Sequence, residues 1–229
     1  MDVESVENKI GVVFRNKELL KLAFVHRSFW NEHRAEIPDH NERIEFLGDS
    51  VLGLVVAEYL YLHYPQMPEG ELSDIRSQLV EAASCVLYVQ KLNIAPNLCL
   101  GRGEKMNTGK GRETILADLF EALIGAIYLD GGYEGARTFF FNHFQEEVDQ
   151  IVASPMRNWK TELQDIAQRR YQQIPVYEVL EESGPAHRKM FRVAVFVAGK
   201  RIGEGEGRSK REAQAKAAEQ GVLQLEKGE

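Results

Sequence analysis

The chain has 229 residues, 44% hydrophobic and 28% charged, with a net charge of −7 at neutral pH. That is enough for one domain of about 150 residues and a smaller second one. No run of about 18 apolar residues exists to span a bilayer, so no membrane segment is expected. The start, MDVESVENKIGVVF, carries acids where a secretory signal would carry a basic segment and an apolar core, and a cytoplasmic location is expected. Cys85 and Cys99 lack metal-ligand spacing and read as small buried side chains.

Taken in chain order, the first two thirds read as helix after helix. Long apolar patterns without β-type alternation cover Glu18–Val25, Asn41–Tyr64, Leu72–Leu92, Thr114–Leu129 and Ala136–Val152, separated by Pro and Gly clusters. The segment around Val152-Ala-Ser-Pro-Met156 cannot continue a helix and reads as a linker, over residues 153–158. Beyond it, Trp159–Tyr171 is helical, Val176–Glu182 and Phe191–Val197 alternate as strands, Lys200–Glu206 is a third strand, and Ser209–Glu226 is helical. The predicted architecture is an all-α domain over residues 1–152, followed by a small α+β domain of order α-β-β-β-α over residues 159–227. Charge divides at the same place: residues 1–155 hold 24 Asp+Glu against 14 Lys+Arg, a net of −10, and residues 156–229 hold 11 against 14, a net of +3.

The stretch NERIEFLGDSVLGLVVAEYL, from Asn41, puts Glu42, Glu45 and Asp49 within an arc of about 60° on one helix face. The helix continues as an apolar segment, so it is expected to be buried, and acids on a buried helix must be neutralised, paired or protonated. In TILADLFEALIGAIYLD, Asp118 and Glu121 share one face with the small Ala122 and Gly125, which would admit a neighbouring backbone. Packed together, the two faces would gather four or five carboxylates. Each pair at roughly 6 Å repels by about 3 kcal/mol at an effective dielectric of ~20, which calls for a cation. An all-oxygen donor set favours Mg²⁺ or Mn²⁺ over zinc, and such an ion suits phosphodiester hydrolysis. His26 and His63 read as structural.

These residues also carry a resemblance. Asn41-Glu-Arg-Ile-Glu-Phe-Leu-Gly-Asp-Ser50 resembles the signature of the ribonuclease III family, and Asp118-Leu-Phe-Glu-Ala122, following Lys110-Gly-Arg-Glu113, resembles that family's second acidic segment. The likeness implies Glu45, Asp49, Asp118 and Glu121 as Mg²⁺ ligands, with Mn²⁺ as a substitute, and Glu42 and Glu69 as accessory acids near the cleavage centre. It implies double-stranded RNA cut to 5′-phosphate and 3′-hydroxyl products, in rRNA and mRNA processing, by a homodimer in which Phe46 enters the partner subunit. On the helical wheel alone, Phe46 could equally be a core residue of its own subunit. A non-cleaving RNA-binding regulator, or an acidic scaffold for a basic protein, are the readings left open.

In the second domain, Thr161, Gln164, Asp165 and Gln168 recur on a polar helix face suited to 2′-hydroxyls and base edges in a shallow groove. Ser183-Gly-Pro-Ala-His187 reads as a turn presenting His187. Ser209 and Glu212 are spaced as a capping box, so Lys210, Arg211 and the helix start would present positive charge together. The unit resembles a double-stranded-RNA-binding domain from about Trp159 to Leu225. Two departures stand out: Asp165 where the family usually has Glu, and Gln214 at a position that is often Lys. Reduced reach and phosphate affinity are expected from them.

Overall fold

The computed structural model describes residues 2–106, 110–154, 158–185 and 188–227. Two compact units divide the chain, Met1–Met156 and Arg157–Glu229. The first is helical: α1 (Val3–Ile10), α2 (Lys17–Ala23), α3 (Arg27–Glu32), α4 (Glu42–His63), α5 (Glu69–Val80), α6 (Ala82–Leu92), α7 (Arg102–Lys105) and α8 (Lys110–Ala153), with a short 3₁₀ turn at Ala95–Asn97. Local chemistry sets the starts, since Asp2 accepts from Ser5 N at the head of α1 and Asn16 from Glu18 N at the head of α2.

The axis of this unit is the pair α4 and α8. Helix α4 buries Ile44, Val51, Leu52, Val55, Val56 and Leu60, and α8 buries Leu119, Phe120, Leu123, Ile124 and Ile127. Their closest approach is made by two glycines. A Cβ on Gly48 would stand 1.8 Å from the Glu121 carbonyl oxygen, and one on Gly125 would stand 2.3 Å from that of Ile44, so only glycine fits at either point. Helix α8 changes direction at Gly132, whose φ of 73° and ψ of −172° are not helical. The two helices expected over 114–129 and 136–152 are thus two arms joined at one residue. The second arm returns Phe139, Phe140, Phe144 and Val148 to the core, where Tyr88 sits 4.3 Å from the Phe144 ring and 5.0 Å from that of Phe120.

Sequence periodicity predicts one helix over Leu72–Leu92, and the structure has two. Glu81 is extended, with ψ of 157°. The carbonyls left open at the end of α5 accept from side chains of α6: Ser84 Oγ donates to Gln78 at 2.5 Å, Tyr88 Oη to Leu79 at 3.0 Å and Cys85 Sγ to Val80 at 3.7 Å. Both cysteines are free; Cys85 is buried, whereas Cys99 is only partly so. His26 accepts from Ser28 N at 3.2 Å as the cap of α3, and the His63 ring bonds the Tyr59 carbonyl at 2.9 Å, both structural roles.

The second unit runs α9 (Trp159–Tyr171), β1 (Val176–Ser183), β2 (Met190–Val197), β3 (Lys200–Gly207) and α10 (Lys210–Lys227), with an antiparallel sheet of order β1-β2-β3. Its core joins Leu163 and Ala167 of α9 to Val195, Val197 and Ile202 of the sheet and Ala217, Ala218 and Val222 of α10. Strand β3 lies hard against α10. Cβ atoms on Gly203, Gly205 or Gly207 would fall within 2.3–2.7 Å of the α10 backbone, so alternate positions of IGEGEG carry no side chain. Among the described residues, no helix is long and apolar enough to cross a membrane.

Gly48→Ala is expected to destabilise the helical unit by about 3 kcal/mol, because the colliding atom is backbone and cannot step aside. Gly70, near the start of α5, has open space at its Cβ position. Gly70→Ala should be neutral or stabilising by up to about 1 kcal/mol. Urea unfolding of the two variants checks the contrast, and equal effects would contradict the close approach of α4 and α8.

Candidate metal centre

Because α4 and α8 nearly touch at Gly48 and Gly125, carboxylates in the one or two turns before these glycines are brought face to face. Oxygens of Glu45, Asp118 and Glu121 lie within 4.8 Å of one another, and all three residues are half-buried. Burial and the neighbouring negative charges act together. Glu45 is pushed up to about 7 by desolvation first, then by Asp118, Glu42 and Asp49. Glu121 is likewise pushed up to about 7, by desolvation and then Asp49, Glu45 and Asp118. Asp118 is raised by burial and by Glu42. Every influence resolved on Glu45 and Glu121 pushes in the same direction, because burial and acidic neighbours act on them and no Lys or Arg is among the groups that do. Beneath the cluster lies Cys85 of α6, whose thiol is pushed far up by burial and by the charges of Glu121, Asp49 and Asp118. It stays protonated and uncharged.

The other acids singled out in the sequence are placed differently. Asp49 is exposed on α4 and stands outside the 4.8 Å set, although its charge acts on both Glu45 and Glu121. Glu42 is exposed at the first residue of α4, held by Arg27 Nη1 at 3.3 Å and facing His40 Nδ1 at 3.8 Å, and its charge reaches Glu45 and Asp118. Glu69, the first residue of α5, is exposed and accepts from Ser73 Oγ at 2.8 Å. Its charge is not among those that act on Glu45, Asp118 or Glu121. Within one chain, therefore, Glu69 is not gathered with the others. Phe46 is 77% exposed, which overturns the reading of it as a core residue of its own subunit.

The donor set fits a hard divalent cation. Three half-buried carboxylates offer oxygen ligands with excess negative charge, and a small ion that keeps part of its water shell is suited to such a partly open cluster. The residues missed by sequence reasoning are Gly48, Arg27 and His40. Gly48 has a legible signal, a glycine inside a helix between two acids, three residues beyond Glu45. Arg27 and His40 have none, because their approach to Glu42 depends on how the chain turns into α4.

In the second unit Thr161, Gln164, Asp165 and Gln168 are all exposed along one side of α9. Ser209 Oγ accepts from Glu212 N at 3.1 Å and Glu212 Oε2 from Arg208 N at 2.8 Å, closing the start of α10, where Lys210 and Arg211 are exposed. Between β1 and β2 the chain turns at Gly184, whose φ of 85° favours glycine. His187 lies outside the described residues.

Comparison with known proteins adds an independent line. A family model described as Ribonuclease-III-like matches residues 16–148, and one for the double-stranded RNA binding motif matches residues 159–225. Over 222 residues the chain is 54% identical to Ribonuclease 3 of Protochlamydia amoebophila, covering 97% of this chain and 91% of that protein. It is 41% identical to Ribonuclease 3 of Geobacillus kaustophilus, with 97% and 90% covered. Among solved structures it is similar to the nuclease domain of ribonuclease III from Campylobacter jejuni, described in terms of flexibility in a region involved in dimer formation. That match has 37% identity and a TM-score of 0.57, over 63% of this chain and 97% of that one.

The raised carboxyls carry a consequence for stability. An acid whose pKa is raised on folding favours the folded state fully below its ordinary value of 4.5 and loses that contribution as pH climbs to about 7. In chelator, the melting temperature of Glu121→Gln relative to the unaltered chain should therefore rise between pH 5 and pH 8. After allowance for solvent screening this is worth about 1 kcal/mol, or about 2–4 °C. A pH-independent difference in calorimetry would show that Glu121 does not share a site with like charges.

Proposed function

The chain belongs to the ribonuclease III family, and from that premise we propose that it is a Mg²⁺-dependent endoribonuclease that hydrolyses double-stranded RNA to 5′-phosphate and 3′-hydroxyl products, acting in cytoplasmic rRNA and mRNA processing. The observation that carries this reading is the convergence of Glu45, Asp118 and Glu121 within 4.8 Å. Glu45, Asp49, Asp118 and Glu121 would hold Mg²⁺, with Mn²⁺ as a substitute. The ion would supply Lewis-acid stabilisation of charge on a phosphoryl oxygen and lower the pKa of a coordinated water.

The protein's part is to hold these acids in place before substrate arrives. Glu45 and Asp49 project from α4, Asp118 and Glu121 from α8, and the glycine crossing fixes the distance between the two pairs. Glu42, restrained by Arg27, is an accessory acid at the edge of the cluster, and Glu69 is an accessory acid outside it. Residues 1–152 form the catalytic domain, 153–158 the linker and 159–227 the RNA-binding domain. Thr161, Gln164, Asp165, Gln168 and His187 would contact the minor grooves of an A-form duplex, and Ser209, Lys210 and Arg211 the phosphates between them. A half of net charge −10 repels RNA, so tethering it to a half of +3 raises the local concentration of duplex at the acids.

The homodimer is supported by an exposed apolar stripe on α4. Phe46, Leu54 and Tyr61, 77%, 57% and 72% exposed, recur at spacings that keep them on one side of the helix. A partner subunit would cover it, with Phe46 as the inserted side chain.

Glu121→Gln removes one charge and leaves the shape nearly unchanged. It should bind labelled duplex RNA as the unaltered chain does, yet lose at least about a hundredfold in cleavage at millimolar Mg²⁺, in gel-based assays. Full activity would refute the ligand assignment, and duplex binding without cleavage by the unaltered chain would describe an RNA-binding regulator instead. Phe46→Asp should sediment as a monomer with unchanged helical circular dichroism. A folded dimer would remove Phe46 from the interface.

A further inference from the structure

Gln214 occupies a position that is often Lys in the domains this unit resembles, and on that ground a weakened phosphate contact is expected. The structure offers a different account. Lys160, in the first turn of α9, donates from Nζ to Gln214 Oε1 at 2.9 Å, and its ammonium stands 5.1 Å from the centre of the Tyr177 ring. Lysine 160 thus carries its charge across to the tip of the α10 side chain that lacks one. Gln214 lies four residues beyond Lys210 and three beyond Arg211, on the same stripe of α10, so the ammonium joins the row of charge that opens that helix. It also directly precedes Thr161, at the head of the α9 face that would read the minor groove.

We propose that Lys160 is an RNA-contacting residue: its ammonium, seated on Gln214 and Tyr177, takes a phosphate of the duplex at the place where a lysine at 214 would do so. Both seats are neutral. The glutamine amide contributes an acceptor, and Tyr177, whose hydroxyl burial pushes up to about 12, contributes only its ring face at neutral pH. They orient the ammonium without cancelling its charge. By contrast, Lys189 and Lys216 of the same unit are each bound to a carboxylate, that of Glu182 and Glu212 respectively, which offsets their charge towards RNA. Gln214 is then the cradle of a relocated cation.

The inference rests on the reading of this unit as a duplex-RNA binder, and the experiment separates the two. The full chain, in chelator so that nothing is cut, is titrated against a fluorescent RNA duplex of about 20 base pairs over a range of salt concentrations. Lys160→Met keeps the aliphatic stem over Tyr177 and removes the charge. It should weaken binding about five- to tenfold at moderate salt and lower the slope of log K against log salt by about one. Lys160→Gln should do the same, should methionine disturb the packing. Lys160→Met combined with Gln214→Lys returns a cation to the same place from α10 and should recover the slope. A loss of affinity at unchanged slope would make Lys160 a packing residue and overturn the proposal, as would an unchanged affinity or a double variant that recovers no slope. Failure of the unaltered chain to bind duplex would overturn the function proposed above and this residue's part in it together.

Discussion

The close crossing of α4 and α8 at Gly48 and Gly125 is the constraint on which the rest of the helical unit depends. Two helices with ordinary side chains at their contact lie 8–10 Å apart, and acids on their facing turns would then sit beyond the reach of a common ion. Here the absence of two Cβ atoms lets backbone meet backbone, and Glu45 comes within 4.8 Å of Asp118 and Glu121. Nothing in the acids themselves favours this. Their mutual repulsion opposes it, as the upward push on Glu45 and Glu121 records. The opposing work is done by the apolar flanks of the same helices, where Leu52, Val55, Val56 and Leu60 pack with Leu123, Ile124 and Ile127 in one continuous core. The hydrophobic effect along most of two helices holds a few charges where they would not stay by choice.

What could be read from the sequence divides along physical lines. The second unit was legible nearly residue by residue, because alternation, a capping box and a Gly-Pro turn are local signals and its elements are short. Trp159–Tyr171 begins and ends where periodicity puts it. In the helical unit, local signals also explain the break at Gly132. They say nothing of Glu81, which carries neither Gly nor Pro and is held extended by side chains that approach from the next helix. The short α1, α3 and α7 are not legible for a related reason, since eight, six and four residues show too little periodicity to stand out.

The site shows the same divide. That Glu45, Asp118 and Glu121 belong together follows from helix faces and small neighbours. That Asp49 and Glu69 stand outside the group of Glu45, Asp118 and Glu121, and that Arg27 restrains Glu42, depend on tertiary paths that no wheel contains. Phe46 is the clearest instance. A helical wheel marks it as apolar without saying whether it lies in the interior of its own subunit, and only its exposure rules that out. Gln214 was legible as a difference from related domains, while its contact with Lys160, 54 positions away, was not.

The glycines of β3 have an effect on the strand's other side as well. With Gly203, Gly205 and Gly207 turned to α10, the intervening side chains are Glu204 and Glu206, with Arg201 before them, and the strand lies at the open margin of the sheet. One amide that such a margin would leave free is occupied, since Glu204 N donates to Gln220 Oε1 at 3.1 Å. A strand border lined with ionised groups is a poor template for another strand, because pairing would strip water from the charges and set identical ones opposite each other. Pairing of two copies through this margin is thereby disfavoured, and the β3 border keeps its water.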